Sequence, residues 1–108
     1  MPAYLIAICR GVSDRARLEE YWAHSRPTFE GFNAKLLAVY TQVRRLEGRS
    51  PVEGVVMVEF PSMEVATRWY ESPAYQAVRN YRIGAAEFEI VLVDGGLVER
   101  RDRMPQCQ

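Results

Sequence analysis

Gly54-Val-Val-Met-Val-Glu-Phe60-Pro61-Ser62 joins a strand to a helix, and the fold is read outward from this junction. Its valines, methionine and phenylalanine favour an extended chain, Pro61 ends the ladder, and Ser62 is a good cap for the next helix. Beyond it Val65, Ala66, Trp69 and Tyr70 make one apolar side of that helix, which Ser72-Pro73 breaks. Ala74 to about Tyr81 is helical again, and Glu87 to Val93 is a last strand stopped by Asp94-Gly95-Gly96.

Toward the N-terminus, Glu47 to Glu53 carries Gly48, Ser50 and Pro51 and reads as a turn. Lys35 to Leu46 before it reads as a long strand whose alternation slips, as a bulge would make it do. Two strands so closely linked form an antiparallel hairpin. Tyr4 to Cys9 is a further strand, closed by Arg10 and Gly11. Ser13 or Asp14 then caps a helix in which Leu18, Tyr21, Trp22, Phe29 and Phe32 recur at near-helical spacing. Pro27 interrupts that pattern and predicts either a kink or a second short helix beginning near residues 26–28.

The order is β-α-β-β-α-β. It predicts an α+β domain of the ferredoxin-like kind, a split β-α-β plan with a four-stranded antiparallel sheet and helices on one face. A chain of 108 residues has room for one such core, placed over residues 1–95, with a polar C-terminal tail over 96–108. A sheet covered on one face alternates apolar with polar residues. Here Tyr4, Ile6 and Ile8 oppose Leu5, Ala7 and Cys9, and Val55, Met57 and Phe60 compete with Val56 and Val58. In the last strand Phe88, Ile90 and Leu92 face away from Val91 and Val93. Apolar residues on both faces predict a homodimer that packs its two sheets back to back.

Composition narrows the function classes. Hydrophobic residues at 48% and charged residues at 26% are those of a folded chain. Lys plus Arg equals Asp plus Glu at 14 each, so no excess charge draws the protein to nucleic acid or an anionic membrane. Apolar runs are too short to span a bilayer and no secretory signal is evident, so the expected location is cytoplasmic. Cys9 ends an apolar strand as a buried free thiol, Cys107 sits in the polar tail, and neither belongs to a metal-binding spacing. P-loop, GxGxxG, HExxH, CxxC and serine-elbow patterns are all missing, and neither cofactor nor metal is expected.

Val58-Glu-Phe-Pro-Ser-Met-Glu-Val-Ala-Thr-Arg-Trp-Tyr-Glu-Ser-Pro-Ala-Tyr-Gln-Ala-Val-Arg79 resembles the signature of DUF1330, a family of small bacterial proteins of unknown function. The opening Ala3-Tyr4-Leu5-Ile6-Ala7, the Leu46-Glu47-Gly48 turn, Arg82 and the Phe88–Val93 strand with Asp94-Gly95 fit the same pattern. The resemblance implies the dimeric α+β barrel superfamily, which includes oxygenases that use no cofactor, haem proteins, isomerases and proteins that only bind ligands. Where family members often carry Gly-Gly, this chain has Tyr40-Thr41, and His24 is its own feature rather than a family residue.

His24, the sole histidine, is the natural general-base candidate, or else a structural side chain beside the apolar stripe. Glu59, a charge in an apolar strand, either moves a proton or pairs with an arginine, and pairing is preferred. Arg45, Arg79 and Arg82 are candidates to bind a carboxylate or enolate, and the resemblance favours Arg82. An ion pair from Arg82 to Glu59 or Glu87 is the plainer alternative. Tyr21, Tyr40, Trp69, Tyr70 and Tyr75 could line an aromatic pocket between sheet and helices, and for Tyr40 and Tyr75 site and core roles are evenly weighed. These residues suit two functions. One is a cofactor-independent enzyme acting on a small carbonyl or carboxylate compound, an isomerase, lyase or oxygenase. The other is a non-catalytic homodimer that binds a small ligand or serves a structural role.

Overall fold

Three side-chain caps set the helices. Asp14 accepts from the Arg17 amide at 3.1 Å, Ser62 from Val65 at 3.2 Å and Ser72 from Tyr75 at 3.2 Å, each satisfying an amide that the first helical turn leaves free. The computed structural model describes residues 1–98 of the chain. Its elements are β1 (Ala3–Val12), α1 (Arg15–Ser25), a short 3-10 helix (Arg26–Phe29), β2 (Lys35–Val39), β3 (Gly54–Phe60), α2 (Met63–Glu71), α3 (Pro73–Arg82) and β4 (Ala86–Asp94). Pro27 thus starts a second short helix, and Pro73 occupies the first turn of α3, where its missing N–H costs nothing.

The strands form one antiparallel sheet in the order β2-β3-β1-β4. Ferredoxin-like topology is therefore present, but the expected barrel is not. Among the described residues β2 and β4 remain as two free edges, and the sheet is open rather than closed on itself. Register assigns the faces. Leu5 lies opposite Val58 and Leu92, and Ala7 opposite Val56 and Ile90, so these residues share the helix-covered face. Tyr4, Ile6 and Ile8 lie opposite Glu59, Met57 and Val55 on the other face. Phe60, expected beside Val55 and Met57, instead pairs with Ala3 and is fully buried with Val58, because alternation by two puts even-numbered β3 residues under the helices.

β2 is also shorter than its strand-forming sequence predicts. A bulge shifts register between Leu36 and Ala38, and the ladder ends where Tyr40 N–H meets Val55 O at 3.0 Å. β3 begins at Gly54, so the strand formers after Tyr40 have no chain opposite them to pair with. The turn expected at 47–53 accordingly widens to everything between Val39 and Gly54.

Leu5, Ala7, Val58, Phe60, Ala66, Trp69 and Tyr75 form the core. Trp69 is its centre: its ring stacks on Phe29 at 4.7 Å and lies 4.3 Å from Tyr75, while Nε1 donates to Thr28 Oγ1 at 3.0 Å. Burying a large apolar side chain of this kind contributes about 1.5–3 kcal/mol, and the indole N–H keeps a partner, so no desolvation cost offsets it. Cys9 is a buried free thiol whose pKa burial raises. From residue 99 on, the predicted polar tail, with Cys107, lies outside the described residues.

Candidate functional site

α1 and the 3-10 helix stand off from the sheet far enough to leave a cavity of about 480 Å³. Its floor is the helix-facing side of β1, β3 and β4, through Leu5, Ala7, Val56, Val58, Phe88 and Ile90. Its walls are aromatic: Tyr21 and Trp22 from α1, Phe29 from the 3-10 helix, Trp69 from α2, Tyr75 from α3 and Tyr40 from the end of β2. An apolar cleft of a few hundred Å³ with sparse polar groups is the usual form of a small-molecule site.

The polar groups on this wall are hydrogen-bond donors. Tyr21 and Tyr75 hydroxyls meet at 2.9 Å, and Trp22 Nε1 donates to Tyr40 Oη at 2.8 Å. Two hydroxyls joined by one bond leave one O–H hydrogen over. Tyr40 Oη accepts the indole hydrogen, and its own hydrogen has no acceptor among the described residues. Among the described residues the lining contains a single charged side chain, the cation Arg26, with neither carboxylate nor imidazole. Burial raises the pKa of Tyr40 to about 12 and that of Tyr21 further still, so both rings stay protonated at neutral pH and remain donors.

Arg82 is the next layer of the site. Its residue is only 9% exposed, and its guanidinium carbon lies 5.6 Å from the Tyr21 ring centre and 5.3 Å from that of Phe88. Nε is buried without a partner, and among the described residues Arg82 makes no ion pair. The pairing with Glu59 or Glu87 weighed from the sequence is thus not made. The guanidinium rests on aromatic faces instead, off the cavity lining.

Tyr40 and Tyr75 therefore stand on the cavity with Tyr21 and Trp69, while the other candidates stand elsewhere. His24 is exposed on α1, its Nδ1 2.9 Å from Glu20 O and its ring stacked on Tyr81 at 4.9 Å. Ala23 and Ser25 line the cavity, and neither His24 nor Arg82 does. Glu59 projects from the opposite face of the sheet, across from Tyr4 and Lys35, and the arginine partner preferred for it is absent among the described residues. Arg45 donates to Ser50 O at 2.6 Å on the exposed segment between β2 and β3, and Arg79 is half-buried on α3 with Nε unpartnered. Tyr70 packs against the core without lining the cavity.

Trp22 and Gly54 escaped the sequence reading as site residues. Tyr40 has a φ of +54°, a left-handed backbone that costs an ordinary residue about 1–2 kcal/mol. Its ring lies directly over Gly54, where any side chain would collide with it. Tyr40-Thr41, standing where the resemblance leads one to expect Gly-Gly, was the available signal, and its meaning needed the positions of α1 and β3.

Comparison with known proteins supports the fold and leaves the chemistry open. No curated protein matches the sequence. Among solved structures, a Rhodopseudomonas palustris protein of unknown function superposes with a TM-score of 0.70 at 17% identity, over 90% of this chain and 84% of that one. SnoaB, a cofactor-independent oxygenase from Streptomyces nogalater, gives 0.62 at 11% identity, over 91% and 96%. A dimeric ferredoxin-like protein of unknown function from Jannaschia sp. CCS1 gives 0.63 at 11% identity, over 88% and 100%. At such identities the likeness is one of fold. The family rests on firmer ground: residues 2–96 match the model of the domain of unknown function DUF1330, and the chain belongs to that family.

Proposed function

We propose that the chain is a small-ligand-binding protein whose cavity takes a compact, largely apolar ring compound bearing hydrogen-bond-accepting oxygen, such as a ketone, quinone or phenolate. The observation that carries this reading is the surplus of donors: one hydroxyl hydrogen of the Tyr21–Tyr75 pair and that of Tyr40 lack acceptors among the described residues, in a wall that is mostly aromatic and aliphatic. A ligand oxygen completes those hydrogen bonds, and a saturated hydrocarbon does not. Arg82, resting on the Tyr21 ring, favours negative charge developing on that oxygen.

Catalysis without a cofactor on the same class of compound is the second reading, favoured by the fold shared with SnoaB and by donors able to stabilise an enolate. It needs a proton acceptor on the ligand itself or in solvent, since His24 and Glu59 lie off the cavity.

We propose further that the working unit is a homodimer. Tyr4, Ile6, Ile8, Val55, Met57, Val91 and Val93 form the uncovered face of the sheet, with Val91 and Val93 43% and 44% exposed, and a second copy would bury it. The Jannaschia relative is described as dimeric.

Trp22 and Trp69 are the chain's two tryptophans and both line the cavity, so intrinsic fluorescence reports occupancy. Titration with 1-tetralone should quench it saturably, and tetralin, the same skeleton without the oxygen, should bind several-fold more weakly. Replacing both Tyr21 and Tyr75 by Phe, which removes the spare hydroxyl hydrogen of the pair, should shrink that difference. Equal binding of the two compounds would reject the donor reading.

A further inference from the structure

The lining residues exposed to solvent come from two places, Ala23 and Arg26 on the α1 side and Leu36 and Val39 on β2, whereas those from β1, α2 and α3 are buried. The cavity therefore opens between α1 and the β2 edge. Across that opening runs one side-chain hydrogen bond, from Trp22 Nε1 to Tyr40 Oη, with the two rings 4.6 Å apart.

Tyr40 reaches this position only through its unusual backbone. Val39 pairs with Val56 on the helix-covered face, so in an unbroken strand residue 40 would point to the other face. The left-handed turn at Tyr40 brings the ring back over Gly54, on the cavity side, where the missing Cβ leaves it room. Backbone strain, a glycine beneath the ring and a hydrogen bond at its tip all serve one placement. Strain held at a single side chain in this way is characteristic of clamps and switches. From Tyr40 the chain continues into an exposed segment, 41–51, without helix or strand, so Tyr40 is also where the paired edge of the sheet meets chain outside the ladder.

We propose that Tyr40 and Trp22 form a latch across the cavity mouth, which must part for a ligand to enter or leave and which limits the size of the compound admitted. This rests on the cavity being a ligand site. Parting the latch costs one neutral hydrogen bond and one ring contact, and the left-handed backbone favours release, so opening is frequent. Bound ligand is then enclosed by the same pair that lines its path.

The test compares the wild-type chain with Tyr40→Phe, which removes the hydrogen bond, and Tyr40→Gly, which removes the ring and suits the backbone angle. Stopped-flow quenching by 1-tetralone should show association and dissociation both faster in Tyr40→Phe, by about fivefold, the scale of one neutral hydrogen bond. Tyr40→Gly should be faster still and should admit bulkier ketones. Association at the wild-type rate in both variants overturns the latch while leaving the binding site intact. If tetralone fails to bind the wild-type protein, the ligand reading falls, and acrylamide decides the latch separately. Tryptophan quenching by acrylamide rises in both variants if the pair closes the mouth, and equal quenching in all three proteins overturns it.

Discussion

The Tyr40 ring fills the space that a side chain on residue 54 would need, so Gly54 is the complement of a tyrosine fourteen positions before it. A methyl at position 54 would overlap the ring carbons, and the ring cannot withdraw without breaking its bond to Trp22. Gly54→Ala is therefore expected to destabilise the wild-type chain by about 1–3 kcal/mol, the range for forced overpacking. In a Tyr40→Gly background the same change should cost markedly less. Denaturant midpoints of the four proteins give the coupling, and additive costs would show that the two residues do not interact.

Trp69 joins the 3-10 helix to the core through its stacked contact with Phe29 and its bond to Thr28. Trp69→Ala should lose about 3–5 kcal/mol by leaving a cavity. Thr28→Val keeps the shape and strands the indole N–H, so about 1–3 kcal/mol is expected there. A Thr28→Val loss as large as that of Trp69→Ala would mean that the hydrogen bond, rather than ring packing, holds this helix.

Raised tyrosine pKa values set an alkaline limit. Unfolded tyrosine titrates near pH 10, while Tyr40 in the folded chain titrates at about 12 and Tyr21 is shifted in the same direction. A raised pKa in the folded state means that this contribution to stability is complete below about pH 10 and is lost as pH climbs through about 12. Melting temperature should fall across that window, less steeply in Tyr40→Phe. Parallel curves for the two proteins would remove Tyr40 from the explanation.

The uncovered sheet face gives a prediction about assembly. Val91 lies opposite Ile6 in register and is exposed in the single chain, so Val91→Glu should leave the fold unchanged by circular dichroism. Sedimentation should find a dimer for the wild-type protein and a monomer for the variant. A dimer that survives the charge would move the interface to another surface.

Much of the fold is legible in local patterns. Ser62 and Ser72 cap helices because a hydroxyl at those positions reaches an amide three residues on, and Pro27 and Pro73 begin helices because neither can donate within one. β2 shows where such reasoning stops. Thr41, Val43 and Leu46 have the propensity for a strand, but a ladder needs a partner, and β3 starts too late to supply one. The site was legible only as a set of aromatic residues. His24 and Glu59 were singled out by residue type, and type alone says nothing about which side of a helix or sheet a group occupies.

By itself the sequence determined the order of elements, their caps and breaks, the antiparallel hairpin and the apolar character of both sheet faces, since all of these depend on neighbours a few residues apart. Tertiary structure decided the rest. It left the sheet open, turned Phe60 inward, joined Tyr21 to Tyr75 and Trp22 to Tyr40, stacked Arg82 on rings instead of pairing it with a carboxylate, and put His24 outside the cavity. Each of those outcomes depends on how helices sit against a sheet, a relation between residues tens of positions apart that local propensity does not encode.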